Sequence, residues 1–421
     1  YFIYFCSSPI LYFSLIIFKF FNSKIHKHLK YEKSSINQVV DKLRNNNKKV
    51  ILFHAASAGE FEQLKPILSR LDRSKYFIIQ SFTSPTIYDI ESKNNLFDIA
   101  CYHPIDLWWR AFSFFSKIKP SAYIITRHDL WPAHLFIARI LKIKILYINA
   151  NLHEKSIWLK PGIKAISKAI FKNIDYSFVP SERIQKKLES IYLSNKIIIT
   201  GDSRFDQIID RQILNSKKQF LPSCFMDSFN IIFGSYDKFD EEIIFNSLIK
   251  TYKYGDKSLV KLNHRIILVP HEIDVYSTKK MISILEQANF KPKLLSEISK
   301  DNNLCNLLII DKIGILADIY KYCKLAYVGS GFSDGVHSVI EPGIYGCAVS
   351  YGPNIELLDE AIHINQKNIG IMVRNENDLY SFLQLYSDIP KINNYGNQIK
   401  KYILSYKNVS GKIIKLIESK I

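Results

Sequence analysis

The first stretch of the chain whose residue types suit catalysis is a turn rich in small residues that ends in a carboxylate. It reads His54-Ala55-Ala56-Ser57-Ala58-Gly59-Glu60 and directly follows an apolar run. Glu60 stands where a helix is predicted to begin, and the dipole of that helix favours an ionised carboxylate, which can act as a general base toward a hydroxyl group. The turn alone is more typical of an ordinary helix start. Phosphate binding is a third option, although the P-loop pattern is absent.

A second carboxylate follows the predicted strand 122–126. The sequence there is Arg127-His128-Asp129-Leu130-Trp131-Pro132-Ala133, in which the Trp-Pro pair stiffens a loop that presents Asp129 at the strand end. Asp129 could instead cap a helix that begins near Pro132. His128 and His134 have no third ligand at a suitable spacing, so we predict no metal site.

An arginine, whose side chain is always positively charged, follows the last predicted strand of the first half. Arg204 lies in the stretch Gly201-Asp202-Ser203-Arg204-Phe205-Asp206. A guanidinium group at a strand end can hold a phosphate or a carboxylate of a substrate. The alternative is that Arg204 pairs with Asp202 or Asp206 at the surface.

The second half carries a glycine-rich loop of the kind that binds phosphate. Gly329-Ser330-Gly331-Phe332-Ser333-Asp334-Gly335 follows a predicted strand, and His337-Ser338-Val339-Ile340-Glu341-Pro342 opens a helix. Free backbone N–H groups at such a helix start bind phosphate, and Glu341 can accept hydrogen bonds from ribose hydroxyls. Pro270-His271 and Ile313-Gly314-Ile315 stand at neighbouring strand ends and would line the same pocket.

These candidate residues are positioned by short apolar strands that alternate with helical segments. The predicted strands are 50–54, 76–81, 122–126, 145–149, 176–179, 197–200, 230–234, 265–270, 307–311, 325–329 and 348–351. Such alternation predicts α/β domains, each with a parallel sheet covered on both faces. Because the pattern restarts after a polar stretch, we expect two Rossmann-like doubly wound domains, 31–215 and 216–421, facing a cleft at the carboxyl ends of their strands.

The first thirty residues differ from the rest of the chain. Residues 1–18 contain no charged side chain, and Lys19, Lys24, Lys27 and Lys30 follow. This pattern predicts a membrane-anchor helix, residues 1–30, with its basic flank and everything downstream on the cytoplasmic side. A signal peptide would carry its charges before the apolar run, and a buried helix is the remaining alternative.

Composition narrows the class of protein further. The chain has 421 residues and a formal net charge of +18, which indicates an anionic partner. No basic run interleaved with aromatic residues is present, so nucleic acid is not the predicted partner. The six cysteines show no paired spacing, which favours a reducing compartment over a disulfide framework.

Together these motifs, over residues 50–370, resemble those of the 3-deoxy-D-manno-octulosonic acid (Kdo) transferases, inner-membrane glycosyltransferases of lipopolysaccharide assembly with the GT-B fold. The turn ending in Glu60 is similar to the family's His-Ala-x-Ser-x-Gly-Glu, whose glutamate is the catalytic base. Asp129 stands at the glutamate of Glu-Leu-Trp-Pro-Asn, where Ala133 replaces the asparagine. Arg204 stands at the lysine of Gly-Asn-Leu-Lys-Phe-Asp. The resemblance implies that Asp129 and Arg204 stabilise the transition state.

The resemblance also implies a nucleotide site. The family's CMP-binding positions correspond to Pro270 and His271, to Ile313, Gly314 and Ile315, and to Ser338, Val339, Ile340 and Glu341. Ser338 replaces the asparagine of many members, whereas Gly314 and Glu341 match outright.

The implied reaction is inverting, metal-independent transfer of Kdo from CMP-Kdo to a hydroxyl of a lipid A precursor, without a cofactor, at the cytoplasmic face of the inner membrane. Its implied partners are this donor, this acceptor and the anionic membrane surface. The alternatives are a GT-B enzyme that uses a UDP-sugar and a lipid acceptor, or an inactive relative with departures at Asp129, Ala133 and Ser338.

Overall fold

The computed structural model describes residues 2–152, 156–298 and 305–421, and residue 1 of the predicted anchor segment lies outside them. The described chain forms two compact units, residues 1–207 with 408–421, and residues 208–407. The fourteen strands are β1 (Lys49–Ala55), β2 (Tyr76–Phe82), β3 (Ile99–Tyr102), β4 (Ala122–Thr126), β5 (Lys144–Ile148), β6 (Tyr176–Val179), β7 (Ile197–Ile199), β8 (Phe229–Tyr236), β9 (His264–Pro270), β10 (Pro292–Leu294), β11 (Leu307–Ile309), β12 (Leu325–Val328), β13 (Ala348–Tyr351) and β14 (Ile371–Met372).

The α-helices fill the intervals between these strands and extend the chain at both ends. They are α1 (Phe2–Phe18), α2 (Ser23–Leu43), α3 (Ala58–Leu68), α4 (Pro85–Glu91), α5 (Trp108–Ile118), α6 (Pro132–Ile140), α7 (Lys164–Phe171), α8 (Glu182–Glu189), α9 (Arg204–Leu214), α10 (Glu241–Thr251), α11 (Asp256–Leu262), α12 (Val275–Gln287), α13 (Leu316–Ile319), α14 (Ile340–Ile344), α15 (Asp359–Gln366), α16 (Glu376–Leu383), α17 (Ile389–Ser405) and α18 (Val409–Lys420).

Each unit is built on one parallel sheet of seven strands. The strand order is β3-β2-β1-β4-β5-β6-β7 in the first unit and β10-β11-β9-β8-β12-β13-β14 in the second. The strands of both sheets pair in parallel, and β4, with the sequence Ala-Tyr-Ile-Ile-Thr, is buried along its whole length. Continuous apolar strands of this kind require helices on both faces of the sheet. The two predicted Rossmann-like doubly wound domains are thereby confirmed.

The direction of winding reverses once in each sheet. In the first unit β1 pairs with both β2 and β4, and in the second β8 pairs with both β9 and β12. At such a reversal the connections leave to opposite sides and open a crevice at the carboxyl ends of the two central strands. In the first unit these strands are β1 and β4, which precede Glu60 and Asp129.

The unit boundaries differ from the predicted domain boundaries at both ends. The predicted boundary between 30 and 31 falls inside α2, which packs into the first unit with Ile36 and Val39 buried. At the other end, α18 belongs to the first unit and not, as predicted, to the second. The buried Asp206 carboxylate holds the start of α18, because it accepts hydrogen bonds from the N–H groups of Asn408 and Ser410, both 2.6 Å away.

The N-terminal segment does not form the predicted anchor as one helix. Among the described residues, no individual helix has both the length and the apolar composition needed to cross a bilayer. Taken together, residues 4–18 and the helix Ser23–Leu43 meet those two criteria, but a break separates them and their axes are bent by 116°. The bend follows Lys19, Phe20 and Phe21, and Asn22 caps the second helix by accepting from the N–H groups of Lys24 and Ile25.

Candidate functional site

Glu60 lies at the start of α3, immediately after β1. Its side chain is part of a capping box, in which Ser57 Oγ accepts from the N–H of Glu60. In return, Glu60 Oε2 accepts from the N–H groups of Ala56 at 2.7 Å and Ser57 at 3.2 Å. In the part of the chain that the structure describes, no donor contacts Oε1. Glu60 therefore caps its helix with one oxygen and keeps the other available, and its role as a general base stays a prediction.

Burial raises the pKa of the Glu60 carboxyl. Glu60 is only 6% exposed. Burial raises its pKa above the ordinary value of 4.5, and the negative charge of Asp129 raises it further. The N–H groups of Ala56 and Ser57 and the charge of His54 lower it, but the net direction is upward. The helix start favours the ionised form of Glu60, as expected, but burial outweighs that effect and the pKa is raised.

Asp129 follows β4 and faces the residues of β1 and β2. Its Oδ2 lies 2.5 Å from Nε2 of the fully buried His54 and 3.1 Å from Oγ1 of Thr83, which donates to it. Burial raises the pKa of Asp129, but the hydrogen bond and charge of His54, with smaller contributions from Trp131 and Thr83, outweigh burial and lower it. Asp129 does not cap α6, because that N-cap position is Trp131.

A buried chain of polar side chains fixes the orientation of His54. Tyr123 donates its hydroxyl proton to His103 Nε2 at 3.0 Å, which leaves His103 Nδ1 as the donor to Ser81 Oγ at 3.1 Å. Ser81 Oγ donates its own proton to the carbonyl of Phe53 at 3.1 Å, so it can accept from His54 Nδ1–H at 3.0 Å while His54 Nε2–H donates to Asp129. Burial, followed by the charges of nearby histidines, lowers the pKa of His103 well below 6.5, in agreement with its role as a neutral acceptor.

Arg204 begins α9 at the same carboxyl edge of the first sheet. Its Nε donates to Asp202 Oδ2 at 2.9 Å and its backbone N–H donates to Asp202 Oδ1 at 2.8 Å. Asp202 is buried, so the pair with Asp202 that was one alternative is present but is not a surface pair. Burial raises the pKa of Asp202, but the charges of Arg204 and Arg127 outweigh burial and lower it.

The loop that carries Arg204 is fastened to the helix that carries Glu60. Ser203 Oγ donates to the carbonyl of Gln63 in α3 at 2.7 Å. Ser203 also exchanges two hydrogen bonds with the side chain of Asn149, which follows β5. The fold therefore brings the three predicted catalytic residues to one edge of one sheet.

In the second unit, the predicted nucleotide-binding residues lie at the carboxyl ends of β9, β11 and β12. Pro270 ends β9, and His271 follows it with its N–H bonded to the carbonyl of Tyr236 at 2.8 Å. The imidazole of His271 stacks on that of His337, with ring centroids 4.6 Å apart. His271 Nδ1 lies 3.0 Å from Ser235 Oγ, so these side chains form one polar cluster.

The remaining nucleotide candidates occupy two loops. Ile313, Gly314 and Ile315 form a turn after β11, where Ile313 is 93% exposed and Gly314 has a φ of 88° that favours glycine. Ser338 and Val339 lead into α14, which contains Ile340 and Glu341 in its first turn.

The glycine-rich loop has a packing role that the sequence did not reveal. A Cβ atom on Gly329 would lie 2.2 Å from Cα of Tyr236, and one on Gly331 would lie 2.6 Å from Cα of Gly352. These glycines allow the chain after β12 to approach the ends of β8 and β13. Close approach of a ligand is therefore not needed to explain them.

Several side chains of these two sites escaped the sequence analysis. The surroundings of Asp129 include four such side chains, those of Thr83, Ser81, His103 and Tyr123. In the second unit, His337 of the quoted motif has its Nε2 buried with no hydrogen-bond partner among the described residues. Thr83 follows a predicted strand next to the one that carries His54, and this neighbour relation is the signal that could have found it. Within the described ranges, no three His, Cys, Asp or Glu side chains are grouped to hold a metal ion.

Solved structures share the fold of both units. UDP-GlcNAc 2-epimerase from Neisseria meningitidis bound to UDP-GlcNAc aligns with a TM-score of 0.61 and 15% identity, over 88% of this chain and 99% of that one. A glycosyltransferase from Rickettsia africae aligns with a TM-score of 0.59 and 10% identity, over 89% and 99%. These likenesses show a GT-B-like fold of two Rossmann-like units.

Sequence comparison finds matches to one family. Residues 28–207 match the sequence model of the 3-deoxy-D-manno-octulosonic-acid transferase family. The 3-deoxy-D-manno-octulosonic acid transferase of Aquifex aeolicus is 26% identical over 80% of this chain and 86% of its own length. The enzymes of the same name from Rickettsia felis and Chlamydia muridarum are each 25% identical, over 79% and 84% of this chain and 70% and 82% of their own lengths. These matches, over residues 28–207 for the family model and about four fifths of the chain for the relatives, support the Kdo transferase family of glycosyltransferases.

The pairing of Asp129 with His54 predicts a pH-dependent loss of stability on substitution. Because the pKa of Asp129 is lowered in the folded state, its ionised form stabilises the fold above the ordinary value of 3.8, and this contribution disappears as pH falls through the lowered value. Asp129→Asn should reduce the free energy of unfolding by ~1–3 kcal/mol at pH 7. The difference from wild type should shrink below pH 3.8 in urea titrations.

The matched control is Asp41→Asn, which removes an exposed carboxylate paired with Arg44 at the surface of α2. It should change the free energy of unfolding little at any pH. If the loss of unfolding free energy in Asp129→Asn stays constant from neutral to acid pH, the charge of Asp129 does not stabilise the fold.

Proposed function

We propose that the protein transfers Kdo from CMP-Kdo to a hydroxyl of a lipid A precursor with inversion, and that Glu60 is the general base. One observation carries this proposal: Glu60 and Asp129, two carboxylates with oppositely shifted pKa values, follow the two central strands of the first sheet. Groups whose surroundings move their pKa values apart are suited to different tasks in one reaction. The first unit would bind the acceptor and the second the donor.

Glu60 has the features that deprotonation of an acceptor hydroxyl requires. Burial raises its pKa, so the carboxylate is a stronger base than an exposed glutamate. Its Oε2 is held by two backbone N–H groups, which fixes the direction of Oε1. A hydroxyl that donates to Oε1 would lose its proton as the new glycosidic bond forms, and CMP would leave with the electrons of the broken bond.

Asp129 and Arg204 suit the charges that develop in this step. The anomeric carbon of the donor becomes positive as its bond to CMP breaks, and a carboxylate kept ionised by His54 favours that charge. Arg204, held by Asp202, would favour the negative charge of the Kdo carboxylate or of the departing phosphate. Substitution of either residue is expected to act on the transition state more than on substrate binding.

The second unit would bind the nucleotide. Support comes from the placement of the family positions. Pro270 ends β9, and the others lie in loops or at a helix start after strands: His271, Ile313, Gly314, Ile315, Ser338, Val339, Ile340 and Glu341. In open α/β sheets, ligands bind at the carboxyl ends of the strands. The stacked His271 and His337 would add two imidazoles to such a site.

We further propose that the chain docks on the cytoplasmic face of the inner membrane as a monotopic protein. Large apolar side chains of α1 and the following turn are exposed, with Phe13 at 64%, Phe20 at 74% and Phe21 at 83%. Lys19 and Lys24 flank that turn, and an apolar face edged by lysines is typical of segments that lie in an anionic membrane surface.

The base is tested with CMP-Kdo and a tetraacylated lipid A precursor as substrates, with products resolved by mass. Glu60→Gln should lower kcat by about 10²–10⁴-fold, the usual contribution of a general base. Because the base must be ionised, wild-type activity should fall as pH drops through the raised pKa of Glu60.

Glu62→Gln provides the control in the same helix, since Glu62 is partly exposed and pairs with Lys65 at 2.5 Å. It should retain wild-type turnover. Equal activity of Glu60→Gln and wild type would exclude Glu60 as the base, whereas an inactive wild type with intact fold would favour the inactive-relative alternative.

The donor class is tested by thermal unfolding with nucleotides. CMP should raise the melting temperature of the wild type, because a ligand that binds only the folded state stabilises it, and UDP should not. His271→Ala should reduce the CMP shift, whereas His363→Ala on α15, outside the predicted nucleotide positions, should preserve it. A shift with UDP and none with CMP would favour the UDP-sugar alternative.

Membrane docking is tested by flotation with vesicles of phosphatidylethanolamine and phosphatidylglycerol. Phe20→Asp combined with Phe21→Asp should weaken vesicle binding at least tenfold, because burying one Phe side chain contributes ~1.5–3 kcal/mol. Val275→Asp with Tyr276→Asp alters an equally exposed apolar pair in the second unit and should leave binding unchanged. Equal flotation of the two double variants would contradict docking through the N-terminal turn.

A further inference from the structure

An apolar cavity of 490 Å³ lies within the first unit, between the helices α1 and α2 and the loops that follow β2, β3 and β4. Its walls are mostly aliphatic and aromatic side chains, among them Leu11, Leu15, Phe18, Ile105, Leu107 and Trp131. The volume falls in the range of ~300–1,000 Å³ that is usual for small-molecule sites.

The cavity is continuous with the setting of Asp129. Thr83 lines the cavity and donates a hydrogen bond to Asp129 at 3.1 Å. Trp131 also lines the cavity, and a hydrogen bond from its side chain helps to lower the pKa of Asp129. Only the side chains of Thr83 and Trp131 would therefore separate a ligand in the cavity from the predicted catalytic carboxylate of Asp129.

The polar groups in the cavity wall are already engaged by the protein. Asp106 accepts from the Tyr4 hydroxyl at 2.6 Å and pairs with His134 Nδ1 at 2.6 Å. The two nitrogens of His28 each lie 2.9 Å from a backbone carbonyl oxygen, those of Thr83 and His103. With these groups satisfied, the wall offers apolar surface and selects for an apolar ligand.

We propose that this cavity binds one fatty acyl chain of the lipid acceptor, which deepens the proposed function and rests on it. The exposed apolar turn at Phe20 and Phe21 directly follows the cavity-lining end of α1, so a chain could enter from the membrane surface that this turn is proposed to contact. The cavity volume of 490 Å³ is within the range that a single bound small molecule occupies.

Lys24 also lines the cavity and is exposed. An ammonium group at the rim of an apolar cavity suits an amphiphile whose apolar chain is attached to an anionic head group. Seating one chain would hold the acceptor on the unit that carries Asp129. The acyl chain is thus expected to contribute to acceptor binding more than to the chemical step, and its loss should appear in KM.

Ser14 gives a way to fill the cavity without touching a proposed catalytic residue. It lines the cavity from α1, and its hydroxyl donates to the carbonyl of Ile10 one turn earlier. Ser14→Trp should raise KM for the tetraacylated acceptor at least about tenfold with kcat nearly unchanged. KM for an acceptor stripped of its acyl chains should be the same as for wild type.

The matched control is Ser34→Trp on α2. Ser34 is exposed, lies outside the cavity, and its hydroxyl likewise bonds a carbonyl of its own helix, that of Tyr31. It should keep the wild-type KM for both acceptors, and circular dichroism and melting temperature verify that both variants fold. Equal KM values for Ser14→Trp and Ser34→Trp on the acylated acceptor would overturn the proposal.

Direct binding is measured without donor or turnover, by quenching of tryptophan fluorescence with 9,10-dibromostearic acid. Bromine in the cavity would lie against Trp131, so quenching should occur in wild type and in Ser34→Trp, and most of it should be lost in Trp131→Phe. In Ser14→Trp the titration should shift to higher concentrations of the fatty acid.

The two experiments separate this inference from the proposed function. If the wild type transfers Kdo but Trp131→Phe is quenched as strongly as the wild type, the acyl-chain site is wrong and the transferase assignment stands. If no transfer is found with any acceptor, the proposed function fails, and the quenching of wild type, Ser14→Trp and Trp131→Phe still decides whether the cavity takes an acyl chain.

Discussion

The hydrogen bond between His54 Nε2 and Asp129 Oδ2, 2.5 Å long, joins the ends of the two central strands of the first sheet. His54 is fully buried, so burial of the Asp129 carboxylate beside it is tolerated only while the two remain paired. The imidazole is oriented from behind by Ser81, His103 and Tyr123, which come from β2, the loop after β3, and β4. The charge of His54 also lowers the pKa of Glu60, against the effect of burial. The same imidazole therefore influences the pKa of both carboxyl groups.

The inner strands of both sheets could be predicted from the sequence, whereas three of the four edge strands could not. β3, β10 and β14 each lie at the outside of a sheet and were not predicted. An edge strand has one neighbour and less cover, so its residues need not form the continuous apolar run by which a buried strand is recognised. β10, with the sequence Pro-Lys-Leu, shows this most clearly, since none of its residues is fully buried.

The candidate site could be predicted as a set of residues but not as a set of interactions. The turn ending in Glu60, the loop with Asp129 and the loop with Arg204 each follow a strand, and strand ends can be predicted from periodicity. Periodicity does not give the directions of side chains. It therefore cannot tell which oxygen of Glu60 caps the helix, or which of two aspartates pairs with Arg204. The bend after α1 was also missed, because an apolar run predicts length and not the break before Asn22.

The return of α18 to the first unit makes residues 208–407 an insertion within that unit. During synthesis the second unit is complete in the chain before the last helix has been made, so it can fold while the first is still unfinished. Until residues 408–410 have been made, the carboxylate of Asp206 lacks the N–H groups of Asn408 and Ser410 from which it later accepts hydrogen bonds. The unit that begins the chain is thus the last to close.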